Sequence, residues 1–144
     1  MKRAVILSVV LSLAIPLWAG KKDDVDPRLA HVKSIFVKGN NQAADKAREI
    51  LRKGKTCFAL ASNPDEADAV LEMADSATPD TGIFGSMGAR HNVVSGTLTL
   101  KSGDLIWSRS ERFSDAPLMS GAKTAADILI HELAKDADCK KRKK

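Results

Sequence analysis

The chain of 144 residues has only two cysteines, three histidines and a single long apolar run, and each scarcity narrows the field. Neither Cys57 nor Cys139 belongs to a C-x-x-C pair, which argues against thiol redox chemistry. His31, His91 and His131 share no local spacing. The stretch HELAK from His131 begins like the zinc-protease HExxH, but Lys135 stands where the second ligand must be, and one imidazole does not hold a catalytic metal. No metal is expected. There is no G-x-S-x-G elbow, since Gly85-Ser86-Met87-Gly88 lacks the fifth residue of that pattern. Gly82, Gly85 and Gly88 recur at every third residue, yet they match neither G-x-G-x-x-G nor the P-loop, and they lead toward a strand instead of a helix. No catalytic residue and no cofactor is assigned, and no repeat of solenoid length is visible.

The apolar run sits at the start, in MKRAVILSVVLSLAIPLWAG. Lys2 and Arg3 precede the segment from Ala4 to Ile15, and Pro16 and the small residues Ala19 and Gly20 follow it. This is the layout of a secretory signal peptide over residues 1–20. The run is shorter than the roughly 20 residues a spanning helix needs, so a retained anchor is the weaker reading. No cysteine stands at the junction, which argues against a lipid-modified lipoprotein. The expected location is therefore outside the cytoplasm, in the periplasm or associated with the envelope.

The formal net charge is +5. Lys2 and Arg3 account for two of those charges and Lys140, Lys141, Arg142, Lys143 and Lys144 for five, so the rest of the chain carries about −2. A nucleic-acid face needs clustered Lys and Arg on the fold itself, and no specific nucleic acid is expected. The tail, residues 140–144, reads as solvated and disordered because adjacent cations repel one another. Its functional reading is weak contact with anionic lipid, lipopolysaccharide or another polyanion.

Between these ends lies one domain, residues 31–139, behind a mixed-charge leader over 21–30 with ordered sequence beginning near Leu29. HVKSIFVKG reads as a strand ending at Gly39. In NQAADKAREILRKG, Ala44, Ala47, Ile50 and Leu51 form an apolar stripe while Lys46, Arg48, Glu49 and Arg52 face away, predicting a helix over Asn41 to Lys53. Thr56 to Ser62 is a short apolar run and reads as a buried strand. NPDEADAVLEMADS carries both a helix start at Asn63-Pro64 and an alternation at Ala69, Leu71 and Met73. The alternation favours a short turn of helix running into a strand.

Ala77 to Asn92 reads as a long loop, of a length more often functional than accidental. VVSGTLTLKSGDLIWSRSERF reads as an antiparallel hairpin turning at Ser102-Gly103, with Leu105 and Trp107 on a shared face and Trp107 in the core. A terminal helix over Ala122 to Asp138 carries the stripe Ala122, Ala126, Leu129, Leu133 and Ala137. The expected fold is α+β in two layers, with a mixed or mostly antiparallel sheet of four or five strands and both helices on one face. Cys57 and Cys139 are the candidate disulfide, an even pair in a small exported domain.

The phrases VKSIFVKG, ADAVLEM and VSGTLTLKSGDLIWSRS, followed by an alanine-rich helix, resemble a group of small exported bacterial domains of unknown function. More distantly the chain looks like the α/β domains of envelope accessory proteins such as the curli secretion protein CsgG and the amino-terminal domain of TolB. The resemblance covers roughly residues 31–137. It rests on an Ala-Asp-Ala-Val/Leu phrase at Ala67 to Leu71 and a Gly-x-x-x-Trp phrase at Gly103 to Trp107. It implies a fold, and it carries over no catalytic residue.

Three functional expectations follow. The first is a non-enzymatic exported binding or accessory protein whose partner is an envelope protein or a second copy of itself. The second is an exported enzyme with a site under the 77–92 loop, using His91 and a carboxylate. The third is a polyanion-binding protein acting through Lys140 to Lys144.

Overall fold

The computed structural model of the chain describes residues 25–78, 91–113 and 121–142. The signal segment and most of the glycine-rich loop lie outside them, as do Lys143 and Lys144. A 3-10 helix, Pro27–His31, leads into β1 (Ser34–Lys38), α1 (Gln42–Arg52), β2 (Ala59–Leu60), β3 (Ala69–Thr78), β4 (His91–Leu100), β5 (Leu105–Phe113), α2 (Gly121–Asp136) and the single turn α3 (Cys139–Arg142). The five strands form an open mixed sheet in the order β2-β1-β3-β4-β5. β1 runs parallel to both β2 and β3, while β3, β4 and β5 are antiparallel to their neighbours. The α+β class and the five-stranded mixed sheet agree with the sequence.

The core follows from the two helical stripes. Ala43, Ala44, Ala47, Ile50 and Leu51 of α1 are buried, as are Ala122, Ala125, Ala126, Leu129, Ile130 and Leu133 of α2. They meet the inward residues of the sheet, Ile35, Val37, Leu71, Met73, Val94, Leu98 and Trp107. Burying each large aliphatic or aromatic side chain stabilises the fold by roughly 1.5–3 kcal/mol relative to exposure. The helix start is set by Asn41, whose side chain accepts from the Ala44 amide at 2.8 Å and donates to the Met73 carbonyl at 2.9 Å. The cap therefore fixes α1 and joins it to β3. Gly39, at φ +133°, makes that approach feasible, because a Cβ there would stand 2.7 Å from the Met73 carbonyl oxygen.

Several boundaries differ from the sequence reading, each for a physical reason. Leu29, at the edge of the expected leader, is fully buried in the core. The 3-10 helix carries it there, and Arg28 pairs with that helix's N-cap, Asp26, and ties the helix to the hairpin turn through Asp104, both at 2.8 Å. The expected strand Thr56 to Ser62 shrinks to Ala59–Leu60, because the Thr56 hydroxyl bonds the Phe58 amide and carbonyl and holds a local turn. The conflicting segment before Glu72 resolves as a turn at Pro64 to Glu66 followed by strand. β3 and β4 extend into the expected loop as far as the pair Thr78 and His91.

Leu105 does not share a face with Trp107. Leu98 pairs with Trp107 while the adjacent Thr99 pairs with Leu105, so Ile106 is inserted as a bulge. Ile106 and Trp107 are both buried, and Leu105 is 58% exposed. Gly96 gives the indole its space, since a Cβ there would lie 3.1 Å from the Trp107 ring and 3.3 Å from the Met73 sulfur.

Candidate functional site

The sheet has one edge that the described residues leave half covered. β2 pairs with β1 only at Ser34 and Ile35, so beyond Ile35 β1 keeps β3 on one side and, among the described residues, has no strand on the other. An open groove of about 700 Å³ runs there, lined by Phe36, Val37, Leu51, Phe58, Leu60 and Ala61, with Arg48 and Arg52 among its polar walls. None of its described lining residues is acidic. Arg48 does not face away from the fold as the helical pattern suggests. Its Nη2 donates to the Val37 carbonyl at 3.1 Å and the Gly39 carbonyl at 2.6 Å, and its Nη1 meets Asp45 at 2.8 Å. The guanidinium thus caps the exposed carbonyls of β1 and blunts the edge against open-ended strand pairing. Arg52, one turn further along α1, is exposed at the rim.

The opposite end of β1 is held by Asp68, from the Ala-Asp-Ala-Val phrase. Its carboxylate accepts from the Lys33 amide at 2.8 Å and the Ser34 amide at 2.9 Å. These two backbone donors, Lys33 first, hold the carboxyl below its ordinary pKa because they favour the charged form. The aspartate therefore stitches the start of β1 to the start of β3. Nothing in its geometry suggests chemistry.

A second polar cluster joins β5 to α2. Asp136 accepts from Trp107 Nε1 at 3.0 Å and from Arg109 at 3.1 Å (Nε) and 2.8 Å (Nη2). Its side chain is 13% exposed. A buried indole N–H needs an acceptor, and Asp136 supplies it; the sequence reading placed Trp107 in the core but missed this partner. The signal was present as a tryptophan on a strand that must pack beneath an acid-bearing helix.

The cysteines do meet. Cys57 and Cys139 form a disulfide with Cα atoms 5.1 Å apart across a sequence separation of 82, tying the turn before β2 to the start of α3. The bond pins the terminal helix, and Cys139 is buried. Of the five basic residues after it, Lys140 is exposed, and the backbone is helical as far as Arg142. A helical turn thus stands where the first part of the disordered tail was expected.

The histidines stay on separate elements. His31 ends the 3-10 helix, His91 opens β4, and His131 lies on α2 with Nε2 3.6 Å from Asp127. Among the described residues no group of three His, Cys, Asp or Glu side chains lies together as a metal site would require. Most of the loop expected to cover a catalytic site falls outside the described residues.

No protein-family model and no curated protein matches this chain. Among solved structures it is similar to a PelC dodecamer from Paraburkholderia phytofirmans, at 20% sequence identity over 73% of this chain and 86% of that one, with a TM-score of 0.44. It is also similar to a minor lipoprotein from Acinetobacter baumannii, at 12% identity over 74% of this chain and 94% of that one, with a TM-score of 0.43. A further similarity is to uncharacterized lipoprotein B from Nitrosomonas europaea, at 7% identity over 76% and 79% of the two chains, with a TM-score of 0.37.

Proposed function

We propose that this chain is an exported, non-enzymatic binding protein of the bacterial envelope, and that it engages a protein partner in the groove beside β1. The observation that carries this reading is the early end of β2, which leaves Phe36 and Leu60 partly open to solvent over the buried Phe58, beside Arg52, which has no ion pair among the described residues. A groove of that kind takes an apolar side chain flanked by a carboxylate. Because Arg48 already occupies the Val37 and Gly39 carbonyls, the partner docks through side chains more than through a continued backbone ladder. Export is supported by the disulfide, a bond that persists in oxidising compartments and is rare in the cytosol. The signal-like residues 1–20 and the resemblance to CsgG-like and TolB-like accessory domains agree with the same location. The partner is an envelope protein or a second copy of the chain.

A photo-crosslinking residue at Ala61, in the groove, and another at Ala74, on the exposed part of β3, test the reading in the native host. The proposal expects one discrete adduct from Ala61, lost when Arg52→Glu is added, and none from Ala74. Equal labelling from both positions, or an Ala61 adduct indifferent to Arg52→Glu, contradicts it.

A further inference from the structure

The disulfide does more than close the fold, because it assembles a basic recess from parts far apart in sequence. Lys55 lies two residues before Cys57, and the bond carries it to the end of α2. On that helix His131 and Lys135 lie four residues apart and share one stripe, and Cys139 opens α3 just beyond it. Lys55, His131, Ala134, Lys135, Cys139 and Lys140 line a recess of about 180 Å³. Every polar side chain among them is basic. Lys55, Lys135 and Lys140 are exposed, and none takes part in an ion pair among the described residues. Among the nearby acids, Asp136 is bound to Trp107 and Arg109, Asp127 stands 3.6 Å from His131 Nε2, and none of Asp127, Asp136 and Asp138 lines the recess.

Three lysines without counter-ions around one hollow repel each other, and a ligand with several anionic oxygens relieves that repulsion. The hollow is smaller than the roughly 300–1,000 Å³ of pockets that enclose a drug-sized molecule. It suits a single phosphate-bearing group whose remainder stays outside. Four further basic residues, Lys141, Arg142, Lys143 and Lys144, follow Lys140 in sequence. A flat anionic surface uses such an array better than a lone small anion does, since each Lys or Arg near it strengthens attachment by about fivefold.

We propose that this recess is a binding site for the phosphate of an anionic lipid headgroup, with Lys55, Lys135 and Lys140 as its contacts and the following residues reinforcing attachment to the surrounding surface. The site is separate from the groove beside β1 and does not depend on it.

Sedimentation with vesicles tests it, using the protein as recovered from its host. Wild-type protein is retained on vesicles containing phosphatidylglycerol, not on phosphatidylcholine alone, and less at high salt. Lys55→Gln, Lys135→Gln and Lys140→Gln together lower retention at least about tenfold. The same three positions changed to Arg keep it, which separates charge from any structural role. A chain lacking residues 141–144 binds more weakly but still prefers phosphatidylglycerol. Release of the wild type by inorganic phosphate at constant ionic strength assigns the recess to free phosphate and overturns the lipid assignment. If the Gln variant binds like wild type while loss of residues 141–144 abolishes binding, the recess has no role.

Discussion

Two neighbouring rows cross the same strands one residue apart, and they have opposite characters. Val37, Leu71, Leu98 and Trp107 pair across β1, β3, β4 and β5 beneath the helices, and none is more than 6% exposed. Lys38, Glu72, Thr97 and Ser108 form the next row on the other face. There Lys38 and Glu72 make a solvent-exposed ion pair at 3.3 Å. An exposed pair of this kind contributes about 0–1 kcal/mol, whereas the first row holds the two layers together. One face specifies the fold, and the other contributes little to it.

The largest effects should come from breaking the covered row. Leu71→Ala should cost about 3–5 kcal/mol in denaturant unfolding, because it leaves a cavity under both helices, while Thr97→Ala in the next row should stay within about 0.5 kcal/mol. Losing the disulfide through Cys57→Ser with Cys139→Ser should cost about 2–4 kcal/mol, as a bond closing so long a loop restricts the unfolded chain strongly. Asp136→Ala should cost about 1–3 kcal/mol by stranding the Trp107 N–H and the Arg109 charge. Trp107 is the sole tryptophan beyond the signal-like segment, so a shift in its fluorescence emission reports that change directly.

The smallest effect is on pH dependence. The pKa of Asp68 is lowered by the Lys33 and Ser34 amides, so its contribution is present above the unfolded carboxylate value of about 3.9 and fades as the pH falls through the lower folded value. An unfolding series below about pH 4 should show a shallower loss of stability in Asp68→Asn than in the wild type.

How much of this was legible in the sequence follows from how far each interaction reaches. Local period and capping were readable: the α1 stripe with its Asn41 cap, the α2 stripe, and the β4–β5 hairpin all depend on neighbours within a few residues. The disulfide was readable because only two cysteines exist. The position of β1 between β2 and β3 was not, since parallel pairing across a helix leaves no mark on period. The brevity of β2 follows from a Thr56 turn that apolar composition hides. Leu105 was misplaced because alternation alone does not reveal a bulge that spends one residue. The groove and the basic recess were out of reach for the same reason: Arg48 acts on carbonyls of a different element, and Lys55 meets Lys135 only through the bond beside it.

Folding outside the reducing cytoplasm is tested most directly by the intact mass of the protein from its native host, with free thiols alkylated before and after reduction. The account predicts a mass lower by about twenty residues, with Cys57 and Cys139 resisting alkylation until reduced. A full-length mass with both thiols alkylated at the outset would contradict it.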